Sequence, residues 1–182
     1  INIVASGIGT LTNPNRLSNT FKSEKRSSIS YDTVKDYIEY LCDSFIVEKT
    51  ERYDVKGKNY INSLHKYYFM DLGLRNARLN FRQFEKTHLL ENLIYNELRM
   101  RGYNIDVGVV PAVIRNKDGN QQRANYEIDF VCNAGSKRYY IQSAYRMESE
   151  DKIKQEKTSL LKVDDSFKKI IEQVQDGKIS ID

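Results

Sequence analysis

The feature that most constrains this chain is a change of hydrophobic period around Gly102. Leu89, Leu90, Leu93, Ile94 and Leu98 recur at helical spacing between Phe84 and Arg101. Gly102 then ends the helix, as glycine does where the chain must turn left-handed. From there the apolar residues follow strand spacing: Tyr103 to Ile114, Tyr126 to Cys132 and Arg138 to Tyr145. Pro111, which lacks a ladder donor, belongs on an edge or at a bulge. Lys117-Asp118-Gly119-Asn120 reads as a hairpin turn. A charged helix from about Ser149 to Leu161 follows. The chain then returns as a strand or hairpin through Phe167–Val174, Asp176-Gly177 and Lys178–Ile181. One helix, a set of strands and a further charged helix make up a mixed α/β domain.

The first half has a different order. Pro14 suits a first helical turn, and Asn15 to about Glu24 carries Leu17 and Phe21 at helical spacing. Ser30 caps a stronger helix, Tyr31 to about Asp43, with Val34, Tyr37, Ile38 and Leu41 on one face. Phe45–Tyr53 and His65–Met70 read as strands around a Lys56-Gly57-Lys58-Asn59 turn. Two helices followed by a two-stranded ribbon is the order of a winged helix-turn-helix. The expected fold is therefore α+β: a winged-helix-like domain over 1–83 and a mixed α/β domain over 84–182.

Charge and cysteine usage narrow the partners. The net charge is +4. Residues 1–83 hold 13 Lys+Arg against 9 Asp+Glu, and 84–182 hold 16 of each, so the whole excess lies in the first half. That asymmetry permits a polyanion partner without demanding one. Cys42 and Cys132 each sit in an apolar context and read as a reduced, buried pair. His65 and His88 have no ligand spacing with them, which argues against structural zinc. No apolar run reaches membrane-spanning length. The opening Ile suggests a numbering that starts inside a longer polypeptide.

Several phrases carry a resemblance: "NPNRLSNTFKS", "TVKDYIEYLCDSFIV", "RYDVKGKNYI", "KYYFMDLGLRNA", "ENLIYNELRMRGY", "EIDFV" and "YYIQSAY". In this order, from about Ile3 to Lys169, they resemble the C-terminal region of a family of prokaryotic AAA-type ATPases. Members join a P-loop domain to a winged-helix segment and a C-terminal domain of unknown function. The resemblance implies a cytoplasmic protein with a restriction-endonuclease-like C-terminal core. No G-x-x-x-x-G-K-[ST] occurs, because Gly7 and Gly9 lack the following Lys-Ser/Thr. No cofactor is therefore expected on this chain, and ATP and Mg²⁺ belong to the parent's own N-terminal ATPase domain, which is also an expected partner.

The nuclease-like resemblance implies a helical Glu, a strand Asp and an acid-x-Lys pair around a divalent cation. Here these positions fall on Glu91, on Asp129 in Glu127-Ile128-Asp129, and on Gln142-Ser143-Ala144. Alternation puts Glu127 and Asp129 on one strand face. Gln142 is a weaker Mg²⁺ ligand than Glu, and Ala144 supplies no general acid or base, a loss of roughly two to four orders of magnitude in rate. Glu91 and Asp129 remain a weak Mg²⁺ site, and Lys137 or Lys152 are the candidate substitute lysines. The expected function is a noncatalytic interaction module, with a degenerate metal-dependent nuclease and a protein–protein regulatory module as alternatives.

DNA is the other open partner. A reading helix should be basic, yet Tyr31–Asp43 shows Asp32, Asp36, Glu39 and Asp43 against Lys35. The candidate phosphate contacts are instead Arg16, Lys22, Lys25 and Arg26 around the first helix, and Lys56 and Lys58 at the wing tip. Tyr67-Tyr68-Phe69 and Tyr139-Tyr140 could stack bases, although alternation favours burial of one residue in each group.

Overall fold

A computed structural model describes residues 1–25, 28–115, 119–145, 150–175 and 178–179. The chain forms two compact units. The first comprises Ile1–Glu51 and Asn62–Asn96, the second Arg52–Ile61 and Glu97–Asp182.

In the first unit, α1 (Asn2–Ser6), α2 (Pro14–Lys25) and α3 (Tyr31–Asp43) precede strands β1 (Val47–Asp54) and β2 (Asn59–Phe69), whose Arg52–Asp54 and Asn59–Ile61 belong to the second unit. Helices α4 (Leu72–Arg78) and α5 (Lys86–Met100) follow. Pro14 opens α2, where its fixed φ suits the first turn and its missing N–H is not needed. The Ser30 hydroxyl accepts from the Thr33 backbone N–H at 3.1 Å and caps α3. Val4, Ala5, Ile8, Leu17, Val34, Ile38, Val47, Tyr67 and Phe69 form the core. Arg75, wholly buried, ties α4 to its surroundings: it donates to the Ala5 carbonyl at 2.9 Å, the Gln83 carbonyl at 2.6 Å and Glu85 at 3.2 Å. Neither α1 nor α4 is anticipated from the sequence; both are short, and their burial is decided by such long-range contacts rather than by a periodic stripe.

Two expectations for this half are corrected. Phe45 does not enter the first strand; it takes a left-handed turn (φ 55) and is 83 % exposed. Tyr37 is 57 % exposed, so the buried side of α3 is carried by Val34 and Ile38.

In the second unit, β3 (Asn104–Arg115), β4 (Gln121–Ala134), β5 (Lys137–Ala144), α6 (Glu150–Leu161), β6 (Lys168–Gln175) and β7 (Lys178–Ile179) succeed one another. The strand order is β2-β1-β3-β4-β5-β6-β7. The β1/β3 and β5/β6 pairs are parallel, and β3/β4, β4/β5 and β6/β7 are antiparallel. The sheet is thus mixed, and α6 supplies the crossover that a parallel β5/β6 pair requires. Pairing with β1 ends at Asp54↔Val109, so Pro111 sits where β3 has passed the end of that neighbour. The expected turn at 117–120 falls partly outside the described residues. Both cysteines are free, and burial pushes the Cys132 thiol up to about 12.

The β3/β4 register shifts once. Asp106 faces Val131 and Gly108 faces Ile128, so β4 spends an extra residue across Asp129–Phe130. A Cβ at Gly108 would lie 2.9 Å from both Ile128 Cβ and Val131 Cγ2, which brackets this bulge. Gly108→Ala should therefore destabilise the protein by about 1–3 kcal/mol through overpacking. Urea unfolding monitored by circular dichroism measures it.

Candidate functional site

Where β4 bulges, it also parts from β5. Their ladder ends at Phe130↔Ile141, and side chains span the next step. Ser143 donates its backbone N–H (2.8 Å) and its hydroxyl (2.6 Å) to Asp129 Oδ2. The Asp129 N–H approaches Gln142 Oε1 at 3.4 Å. The Gln142 amide donates to Glu156 on α6 at 3.2 Å, and the Ser159 hydroxyl lies 3.4 Å from Gln142 Oε1. Glu172, 3 % exposed, is the β6 register partner of Ser143. Asp129 (7 %) and Ser159 (5 %) are also buried. A buried carboxylate must be compensated; here a main-chain and a hydroxyl donor help to do so.

The arrangement brings together Asp129 and Gln142, and adds Ser143, Glu156, Ser159 and Glu172. Ala144 is 3 % exposed, a buried methyl where the resemblance places a lysine. Lys137 begins β5, at the opposite end of the strand from Ala144, and the Lys152 side chain lies outside the described residues. Among the described residues no three His, Cys, Asp or Glu side chains gather so as to hold a metal ion. Ser143 was missed as a site residue because it occupies the variable middle position of its motif. Only the splayed ladder reveals its role.

Glu91 belongs to the first unit. On α5, 7 % exposed, it accepts at Oε1 from Lys66 Nζ (2.8 Å) and from the Tyr68 hydroxyl (2.7 Å). Lys66 is itself 2 % exposed, and Tyr68 stacks on Tyr95 with centroids 4.1 Å apart. Gly9 (φ +69) approaches the same carboxylate: a Cβ there would stand 3.0 Å from Glu91 Oε2. One turn on, Asn92 accepts from the Phe69 N–H and donates to the Phe69 carbonyl, both at 2.8 Å. Lys66 and Tyr68 are the residues missed here. Their signal is a lysine inside the aromatic run His65–Phe69, a charge that a buried strand must pair.

Residues 1–85 match a domain of unknown function, DUF8612. An uncharacterized protein of Haemophilus influenzae is 32 % identical over 168 residues, covering 92 % of this chain and 38 % of its own length. An uncharacterized protein of Methanocaldococcus jannaschii is 30 % identical over 174 residues, covering 92 % of this chain and 36 % of its own. The chain thus spans well under half the length of these curated relatives. No solved structure matches. Among the described residues no helix is long and apolar enough to cross a membrane.

The basic candidates fall in both units. Arg16 and Lys22 are exposed on α2, Arg16 also donating to the Leu11 carbonyl at 3.0 Å. Lys25 is the last residue of α2; its side chain and the whole of Arg26 lie outside the described residues. Lys56 and Lys58 are exposed at the β1–β2 turn, in the second unit. There Lys56 Nζ donates to the Pro111 carbonyl at 3.0 Å. Tyr67, Tyr68, Phe69 and Tyr140 are all buried, which leaves the half-buried Tyr139 as the one of these rings that reaches the surface.

Lys66→Met should remove about 3–5 kcal/mol of stability, since it takes the Lys66 ammonium away from a buried carboxylate. The double variant Lys66→Met/Glu91→Leu should recover much of the loss. Denaturant unfolding of the three proteins measures both effects, and equal stability of the single variant and the parent would remove this pair from the account.

Proposed function

We propose that this chain is a noncatalytic interaction module, the C-terminal region of a prokaryotic AAA-type ATPase acting in the cytoplasm. In this reading 1–83 is a winged-helix-like domain and 84–182 a restriction-endonuclease-like domain whose site has become a structural polar network. The observation that carries it is the Asp129 carboxylate. Its Oδ2 takes two short hydrogen bonds from Ser143 and so bridges the parted strands β4 and β5. A metal-binding acid of a working site would use such an oxygen on the cation. Gln142, next to it, spends its amide on Glu156.

The order α1, α2, α3, β1, β2 supports the winged-helix part, as does the isolated bridge between Thr12 and His65, which adds a third short strand position to the ribbon. The sheet with its α6 crossover and bulged β4 supports the nuclease-like part. ATP and Mg²⁺ would be bound by the P-loop domain of the parent, which is also the first partner of this module.

The test is a cleavage assay with Mg²⁺ and Mn²⁺ on linear, nicked and branched DNA, beside an Asp129→Ala control. We expect no turnover above background in either protein. Cleavage by the parent chain that vanishes in the control would establish a metal-dependent nuclease instead.

A second reading, DNA contact, is favoured by the exposed Lys56 and Lys58 at the ribbon tip and Arg16 and Lys22 on α2. Such contact would be sequence-tolerant and steeply salt-dependent. Replacing Lys56 and Lys58 together by Ala should weaken it uniformly across duplex sequences in a fluorescence-anisotropy titration. Affinity unchanged by that replacement would rule out the ribbon tip.

A further inference from the structure

Helix α3 and strands β1 and β2 wall a cleft of ≈ 270 Å³ within the first unit. Lys35, Ile38 and Cys42 line it along one stripe of the helix. His65 and Tyr67, two residues apart on β2 and so on one strand face, line it from the other side. Two polar groups of this wall are unpaired. Tyr67 is 3 % exposed, and its hydroxyl has no hydrogen-bond partner among the described residues. The groups that act on that hydroxyl electrostatically, Cys42, Tyr31 and Glu39, are all walls of the cleft, so the hydroxyl is aimed into it. His65 Nδ1 is buried and likewise without a partner among the described residues. Folded proteins rarely leave buried donors and acceptors unmade, and two on one wall call for a partner that the fold does not supply.

The inner wall is neutral. Burial raises the Tyr67 hydroxyl and the Cys42 thiol above their ordinary pKa values, and burial followed by the nearby Lys49 lowers the His65 imidazole. All three are therefore uncharged at neutral pH. The rest of the lining carries both signs, Lys35 and Lys49 against Glu39 and Asp43. Lys35 and Glu39 stand 3.7 Å apart and Lys49 and Glu51 3.5 Å, with each side chain at least 40 % exposed, so water screens both pairs. Asp43 has no salt bridge among the described residues, and it closes α3 at the end where a helix favours a cation. Such a lining favours neither a polyanion nor a polycation; it favours a molecule with one charge of each sign. The volume lies just below the roughly 300–1,000 Å³ of sites for drug-sized ligands, which sets the size of that molecule. Pro14 and Ile38 offer its body an apolar wall.

We propose that this cleft binds a small aliphatic zwitterion, with the chemistry of a free branched-chain amino acid. Its carboxylate accepts from the Tyr67 hydroxyl and lies toward Lys49. Its ammonium pairs with Asp43, and its side chain packs on Pro14 and Ile38. His65 completes the polar wall. Every residue involved belongs to the first unit, so the inference does not depend on whether Asp129 takes part in catalysis.

The experiment uses the full chain and three probes titrated by isothermal calorimetry. These are L-leucine, N-acetyl-L-leucine, which lacks the ammonium, and L-leucinamide, which lacks the carboxylate. L-leucine should bind saturably, and each derivative at least about tenfold more weakly. Tyr67→Phe, which removes the hydroxyl and keeps the ring, should weaken leucine binding by at least about fivefold, and Asp43→Asn by as much. Asp164→Asn makes the same change of charge as Asp43→Asn at an exposed acid of the other unit, and should leave affinity within about twofold. Circular dichroism checks that each variant is folded, and the comparison of probes needs only the wild-type chain. Absence of saturable leucine binding overturns the proposal. So does a derivative that binds as tightly as leucine, or an affinity that folded Tyr67→Phe and Asp43→Asn leave unchanged. In any of these cases the cleavage assay still decides separately whether the module is catalytic.

Discussion

The pairing of Lys66 with Glu91 is the constraint around which the first unit is built. A lysine and a glutamate have each been withdrawn from water, and neither tolerates that alone. Their contact at 2.8 Å fixes how far β2 lies from α5, and the Tyr68 hydroxyl shares the same oxygen. Asn92 then has the reach to close the backbone of Phe69, and Tyr95 to stack on Tyr68. The glycine at position 9 belongs to the same arrangement, because only a residue without a side chain fits so near the carboxylate in a left-handed conformation. Apolar packing alone would allow β2 to slide along the helix; a buried ion pair with three added hydrogen bonds does not.

The second unit relies on a different device. Asp129 holds β5 where the ladder between β4 and β5 has already ended, and the bulge opposite Gly108 turns the strand there. Five successive residues from Ile128 to Cys132 are buried. Strand alternation therefore no longer separates an inside from an outside on this stretch, and side-chain hydrogen bonds take over part of the task of fixing register.

Much of the fold was legible because its long elements carry strong periodic signals. Helix α3, with Ser30 as its cap, runs over Tyr31–Asp43 as its spacing predicts, and α5 ends just before Gly102, whose φ of 83 is the conformation expected of a stop. Short elements were not legible. Helix α4 exists largely because Arg75 finds the Ala5 carbonyl, 70 residues away, together with the Gln83 carbonyl and the Glu85 carboxylate beyond the helix end, and no periodic pattern announces them. Phe45 misled because an aromatic beside β-formers suggests a strand, whereas the backbone needed a left-handed residue between α3 and β1. At the candidate site, motif spacing located Asp129 and Gln142 next to each other. It could not reveal Ser143, whose bonds bridge two strands, whereas a lysine inside the aromatic run His65–Phe69 does mark Lys66 and Tyr68.

The division into units has a consequence for how such a chain can be inherited. The polypeptide crosses from one unit to the other after Glu51, returns after Ile61 and crosses again after Asn96. Three crossings mean that no single cut yields two complete pieces. A gene break between residues 83 and 84 would deprive the first unit of Glu91 and Asn92, and the second of the ribbon segment from Arg52 to Ile61. Recombination at that point would part each unit from a segment of its own chain. Relatives from a bacterium and an archaeon both align across 92 % of the chain, and so across all three crossings.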